Sequence, residues 1–302
     1  MNLAKFWMSR RTVLAGGTAA LLSLAGRLWL RSARAQQTAS GITAAPVSRV
    51  PLAPEDALWG RAKPTPVVLL PQNLVLPRLA KSNLQALNVQ ALYDAARLAV
   101  RLEWPDAHKD DELGTVQQYR DGVAIQFPVN PAGSAPSFMM GQPGSGVVIY
   151  HWKSDWQFSL TYDVDEAYPN MYADYYPFSG VAAGEMPEAT DYLTKGRREY
   201  LTAAAVGNSL ADPFVQKRIG PIQKMRAEGF GTTEADQVQD AQGGGVWSSK
   251  GWRIVISIPL KQSAFTFAKG MTVPLAFAVW DGADRQRNGQ KTYAPWMNLV
   301  LA

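Results

Sequence analysis

Apolar and polar residues alternate over much of the chain beyond residue 67. Leu98-Ala99-Val100-Arg101-Leu102-Glu103-Trp104 and Trp252-Arg253-Ile254-Val255-Ile256-Ser257-Ile258 repeat with a period of two, as strands with one buried face do. Further β-rich runs fall at Val67–Leu70, Asn88–Tyr93, Gly122–Val129, Val147–Trp152, Val273–Trp280 and Trp296–Leu301, with turn residues between them. The pattern predicts a mainly β chain folded as an antiparallel β-sandwich.

Two stretches depart from this rhythm. Residues 36 to 66 are rich in Pro, Ala, Ser and Thr without a sustained period, which predicts an extended lead-in over 36–60 rather than core, ahead of a sandwich domain at 61–302. Between Val181 and Gly245 the strand signal fades. Asp191–Val206 and Pro213–Gly229 carry helix-compatible runs, so a helical insertion over 181–245 is expected, closing in a flexible Gly243-Gly244-Gly245.

The first 35 residues read differently again. Ser9-Arg10-Arg11-Thr12-Val13-Leu14, an apolar run to Leu30 and Ala33-Arg34-Ala35 have the form of a twin-arginine export signal cleaved between Ala35 and Gln36. Gly16, Gly17, Gly26 and Arg27 interrupt the run, which falls short of the roughly 20 apolar residues of a spanning helix. That route carries folded proteins, so a periplasmic chain with a cofactor and no membrane span in its mature form is expected. The leader also holds six basic residues and no acidic one; without it Lys+Arg drops from 30 to 24 against 25 Asp+Glu. A mature charge near −1 removes the electrostatic case for a nucleic-acid partner.

Cysteine is absent, which excludes disulfides, thiolate-bound iron–sulfur clusters, a cysteine nucleophile and the Cys-x-x-Cys-His attachment of c-type haem. His108 and His151 are the sole imidazoles. His108 falls in the polar turn Trp104-Pro105-Asp106-Ala107-His108 and reads as solvated, whereas His151 sits between aromatics in Tyr150-His151-Trp152 and reads as partly buried. Neither adjoins a Gly-x-Ser-x-Gly nucleophile elbow. Asp110-Asp111-Glu112 and Asp163, Asp165, Glu166 lack the ligand pattern of a calcium loop and read as charged turns.

Several ordered motifs carry a resemblance. They are Leu102-Glu103-Trp104-Pro105-Asp106, Arg120-Asp121-Gly122-Val123-Ala124-Ile125-Gln126-Phe127-Pro128, Pro136-Ser137-Phe138-Met139-Met140-Gly141-Gln142-Pro143, Gly251-Trp252-Arg253-Ile254-Val255, Ala278-Val279-Trp280-Asp281-Gly282 and Asn288-Gly289-Gln290-Lys291. Over about residues 60 to 302 the chain resembles the haem-binding gamma subunits of ethylbenzene dehydrogenase, dimethyl sulfide dehydrogenase, and selenate and chlorate reductases. The resemblance implies a β-sandwich holding one haem b between an axial methionine and an axial lysine, matched here by Met140 and Lys291. Lys250, Lys261 and His151 remain alternatives to Lys291. It implies a non-catalytic electron-transfer subunit working with a molybdopterin-containing catalytic chain, an iron–sulfur subunit and a soluble cytochrome c or similar carrier.

Methionine is a soft neutral ligand, and lysine binds iron only as the free amine, so its pocket must desolvate it. On strand alternation Met139 is expected to point away from Met140 into the core. Trp152, Tyr175, Tyr176 and Trp280 are candidate walls for a macrocycle, and the tyrosine cluster around Tyr168–Tyr176 a candidate partner contact. The competing reading is an exported carbohydrate-binding module, whose aromatics would stack on sugars instead.

Overall fold

The computed structural model describes residues 41–161 and 220–302 apart from Gly114 and Ala264. Its framework is one 13-stranded sheet in the order β10-β11-β5-β4-β1-β13-β12-β6-β7-β8-β9, with β2 added to β4 and β3 to β13. One half comprises β2 (Thr65–Val68), β4 (Ala86–Tyr93), β5 (Arg97–Trp104), β10 (Gln242–Ser248) and β11 (Gly251–Pro259). The other comprises β3 (Leu70–Pro71), β6 (Gly122–Pro128), β7 (Val147–Lys153), β8 (Ile222–Ala227), β9 (Glu234–Ala235), β12 (Thr272–Trp280) and β13 (Thr292–Leu301). Pairing within each half is antiparallel, as the alternation predicts. Between them β1 (Ile42–Pro46) runs parallel to both β4 and β13, so the sheet is mixed.

For residues 41–60 this corrects the reading of 36–60 as a lead-in outside the core; residues 36–40 lie outside the described residues. Ile42 and Ala44 are fully buried, and the following segment packs Val50, Trp59 and Ala62 onto Leu92, Ala99 and Val255. Gln90 Nε2 donates to the carbonyls of Trp59 and Ala62, fixing the segment against β4. Only five residues long, β1 is too short for its period to stand out in a Pro- and Ala-rich stretch.

The sheet curls until its halves face one another. Leu98, Val100, Leu102 and Trp104 of β5 and Ile254, Ile256 and Ile258 of β11 meet Val123, Ile125 and Phe127 of β6 and Val148, Tyr150 and Trp152 of β7 in one core. Trp152 and Trp252 pack edge to face at 4.9 Å between ring centroids. Truncating Trp152, which has no exposed surface, removes both this contact and the largest plug in the curl. Trp152→Ala should therefore cost about 3–5 kcal/mol in urea unfolding, and a loss below 1 kcal/mol would mean that the halves are held together elsewhere.

The helical insertion falls mostly on residues 162–219, outside the described residues. Within the described part, however, the run Pro213–Gly229 contains strand β8, and Gly243-Gly244-Gly245 lies inside strand β10. In β8 the charged positions that look like a solvated helix face are paired instead. Lys224 is buried, with Nζ 2.9 Å from Asp240 Oδ2, and Arg226 reaches Asp236 at 2.6 Å. The glycines answer to crowding: a Cβ on Gly245 would lie 2.1 Å from Ile254 Cδ1 and 3.0 Å from Trp152 Cζ2. Helix α1 (Ser154–Thr161) clamps the same strand, since Gln157 accepts from Gly245 N and donates to Gly245 O.

Candidate cofactor site

With inward positions of β6, β7 and β12 spent on the core, the alternate residues form an outward face. Its register is informative. His151 of β7 lies opposite Ala124 of β6, Ala124 opposite Ala278 of β12, and Ala278 opposite Tyr293 of β13. Gly122 and Ala276 extend this low floor on either side, leaving room that larger side chains would fill. Loops rise around it to enclose a cavity of about 820 Å³, within the ~300–1,000 Å³ of cofactor and ligand pockets.

Met139, Met140, His151, Trp280 and Lys291 all line this cavity. The two methionines sit in a turn ahead of β7, not on a strand, so the expected opposite strand polarity does not apply and Met139 does not enter the core. Met140 packs against the buried cluster of Ala124, Val147, Ile149, Ala227 and Ala278, which includes two residues of the floor. Its backbone is left-handed, with φ 68°, and its carbonyl accepts from Gly229 N at 2.7 Å. A non-glycine residue held in that region is strained by about 1–2 kcal/mol, so the surrounding loop imposes the position of its side chain.

Lys291 precedes β13, and its backbone carbonyl accepts from Gln72 N. Its amine projects toward the Trp280 ring, 5.1 Å from the centroid. Among the described residues no carboxylate pairs with it. Burial alone pushes its pKa down from 10.5 to about 8; the surface it keeps is cavity wall. His151 stacks on Trp280 at 4.5 Å between centroids. Burial, then the charges of Lys153, Arg120 and Lys291, hold its pKa well below the usual range, so the imidazole is neutral.

The structure thus separates the alternatives to Lys291. Lys250 is exposed in the β10–β11 turn and Lys261 is exposed beyond β11; neither lines the cavity. His151 does. Of the candidate wall residues Trp280 lines the cavity, whereas Trp152 points into the core and Tyr175 and Tyr176, like the tyrosine cluster at 168–176, lie outside the described residues. Sequence reasoning missed Phe138 and Tyr293, which stack at 5.4 Å, and the Gly/Ala floor, whose signal is the small residue at alternate positions of β6 and β12.

The rim has its own character. Leu74, Leu76, Leu113, Val116 and Phe230, five of the eight large apolar side chains exposed among the described residues, gather at this cavity. Arg120 and Arg287 stand beside them, Arg120 bound to Asp155 at 2.7 Å and Arg287 over the Tyr119 ring. The donor set fits a haem. A low apolar floor suits a flat macrocycle, a thioether and a desolvated amine suit iron, and two arginines suit acidic side groups.

Sequence comparison matches residues 56–292 to the family described as ethylbenzene dehydrogenase. Chlorate reductase subunit gamma from Ideonella dechloratans is 26% identical over 253 residues, covering 82% of this chain and 78% of that protein. A protein from Haloferax mediterranei named as a respiratory nitrate reductase heme subunit is 22% identical over 271 residues, covering 85% and 75%. Dimethylsulfide dehydrogenase subunit gamma from Rhodovulum sulfidophilum is 26% identical over 264 residues, covering 84% and 76%. Among solved structures, a carbohydrate binding module family 9 from Caldicellulosiruptor kristjanssonii in complex with cellotriose superposes with a TM-score of 0.42 at 12% identity, covering 86% of this chain and 92% of that one. Among the described residues no helix is long and apolar enough to cross a membrane.

Proposed function

This chain belongs to the ethylbenzene dehydrogenase family, and from that premise we propose that it is the haem b electron-transfer subunit of a periplasmic molybdenum oxidoreductase complex. The observation that carries the reading is a half-buried lysine amine, with no anionic partner among the described residues, in the same cavity as a conformationally constrained methionine. Met140 and Lys291 are the residues that would hold the haem iron, and the haem would supply a one-electron carrier there.

The chain's own residues hold and insulate that carrier. Trp280, fixed by its indole N–H to the carbonyl of Asn288 at 3.1 Å, faces both the neutral His151 ring and the Lys291 amine. Its bulk shields the amine from water, and this desolvation, working against the ring face's attraction for the ammonium, is what lowers the amine's pKa. Phe138 and Tyr293 close the cavity beside the Met140 turn. The apolar ring at the mouth is where the iron–sulfur subunit or the external carrier would approach the haem edge, with the molybdenum chain behind it; patches of this kind mark interaction sites. Substrate conversion belongs to that other chain.

Expression from its own leader in a haem-replete bacterial host tests the whole reading. A red periplasmic protein with a low-spin Soret spectrum is expected, and precursor should stay in the cytoplasm when Arg10 and Arg11 are both replaced by lysine. A colourless folded protein that binds oligosaccharide would overturn the haem assignment, and normal periplasmic yield of the double-lysine variant would overturn the twin-arginine one.

A further inference from the structure

Three motif aspartates take no part in the cavity. Asp106 follows β5, Asp121 immediately precedes β6 and Asp281 immediately follows β12, so three strand ends converge at one place. Their carboxylate oxygens all lie within 4.8 Å of one another. Three oxygens no more than 4.8 Å apart all lie within about 2.8 Å of a common point, so a small side-chain adjustment brings them to the ~2.3–2.6 Å of Ca–O contacts around one ion.

Among the described residues the three aspartates have no ion-pair partner, while His108 lies close enough to act on Asp110 at the edge of the cluster. Asp121 is fully buried and Asp106 is 8% exposed. Asp106 Oδ2 is enclosed and makes no hydrogen bond of normal geometry; the indole N–H of Trp104, which makes none either, lies near enough to act on the same carboxyl. Asp110, whose charge acts on Asp106 and Asp281, adds a second enclosed and unpartnered Oδ2. No ion pair among the described residues includes Asp106, Asp110, Asp121 or Asp281. Buried carboxylates in that condition either take up protons or bind a cation.

Asp121 is furnished for the ionised form. Its two oxygens accept from Gly282 N at 2.9 Å, Asp110 N at 2.9 Å and Trp252 Nε1 at 2.8 Å. Three donors converge on one carboxylate while its neighbours are also acidic, a combination that a bound cation reconciles. Gly282 keeps the strand ends close, since a Cβ there would lie 2.5 Å from both Asp110 Cβ and Tyr119 O.

We propose that Asp106, Asp121 and Asp281 are the core ligands of a divalent-cation site of the calcium type, with Asp110 at its side. The ion ties the ends of β5, β6 and β12 together directly behind the cavity, because Arg120, Gly122 and Trp280, the sequence neighbours of Asp121 and Asp281, line it. The proposal does not depend on which cofactor the cavity holds.

The test uses the purified full-length mature chain, stripped with a chelator and titrated with Ca²⁺ alone, then with Tb³⁺ under indole excitation, since Trp104 and Trp252 border the cluster. One equivalent should bind in each titration. Calcium at about 100-fold excess over its Kd should raise Tm by about 5–10 °C. Asp281→Asn, at the more exposed ligand, should weaken binding about 100-fold, while Glu234→Gln, at an exposed position of strand β9, should bind as the parent does. A folded chain that binds neither ion with a Tm indifferent to chelator, or an Asp281→Asn variant that binds as tightly as the parent, overturns the site. Because binding is read without haem, failure here and failure of the haem assignment are separable.

Discussion

Lys291→Arg should lose the low-spin haem spectrum as completely as Lys291→Ala, although it keeps the positive charge. The reason lies in what the cavity does to the amine. An exposed lysine with a pKa of 10.5 costs about 5 kcal/mol to hold neutral at pH 7, and one with a pKa of about 8 costs about 1.4 kcal/mol. The pocket has already met most of the cost of offering a lone pair. A guanidinium cannot follow, since it stays protonated throughout this range.

The same shift fixes the pH dependence and its sign. The folded pKa lies below the unfolded one, so between about pH 8 and 10.5 the unfolded chain binds more protons, and the stability of the haem-free protein rises with pH there. Haem affinity should fall about tenfold per pH unit below about 8 as protons compete for the amine, and level off above it. Spectral titration of the haem-free protein at a series of pH values checks this. A native spectrum in Lys291→Arg, together with its loss in His151→Phe, would move the ligand to His151, the alternative candidate that also lines the cavity.

The strands of the inner core were legible because burial of one face leaves a period of two in the residues. The alternation read over Leu98–Trp104 covers all of β5 except its first residue. What escaped the pattern did so for identifiable reasons. In β8 the buried Lys224 and the half-exposed Arg226 make ion pairs across loops, so polarity ceases to report exposure. In β10 the glycines mark close approach of Ile254 and Trp152, and glycine in a strand has the same letter as glycine in a hinge.

The site was legible in part. Met140, Lys291 and Trp280 were found through motif resemblance, and they do share one cavity. The floor was not, because Gly122, Ala124, Ala276 and Ala278 acquire meaning only when the register sets them side by side. The aspartate cluster was likewise hidden: Asp106, Asp121 and Asp281 are far apart in sequence, and each closes or opens a different strand.

Met140→Leu should abolish the six-coordinate haem spectrum, whereas Met139→Leu should keep it. Strand alternation cannot carry this expectation, because both residues lie in a turn and both line the cavity. The loop carries it instead. Gly141 N donates to Ser137 O at 2.9 Å, Gly141 itself needs φ 82°, and a Cβ there would meet Ser145 O at 2.9 Å. With Gly229 N held by the Met140 carbonyl on the other side, the turn has little freedom, and it is Met140 that packs onto the buried cluster containing Ala124 and Ala278. Leucine preserves apolar volume at either position, so each variant should lose under about 1.5 kcal/mol of stability. Any spectral change then reports the sulfur and not a collapsed loop. Equal unfolding midpoints with a lost sixth ligand only in Met140→Leu is the expected result; the opposite pattern would assign the ligand to Met139 and make the left-handed turn at Met140 a device for presenting its neighbour.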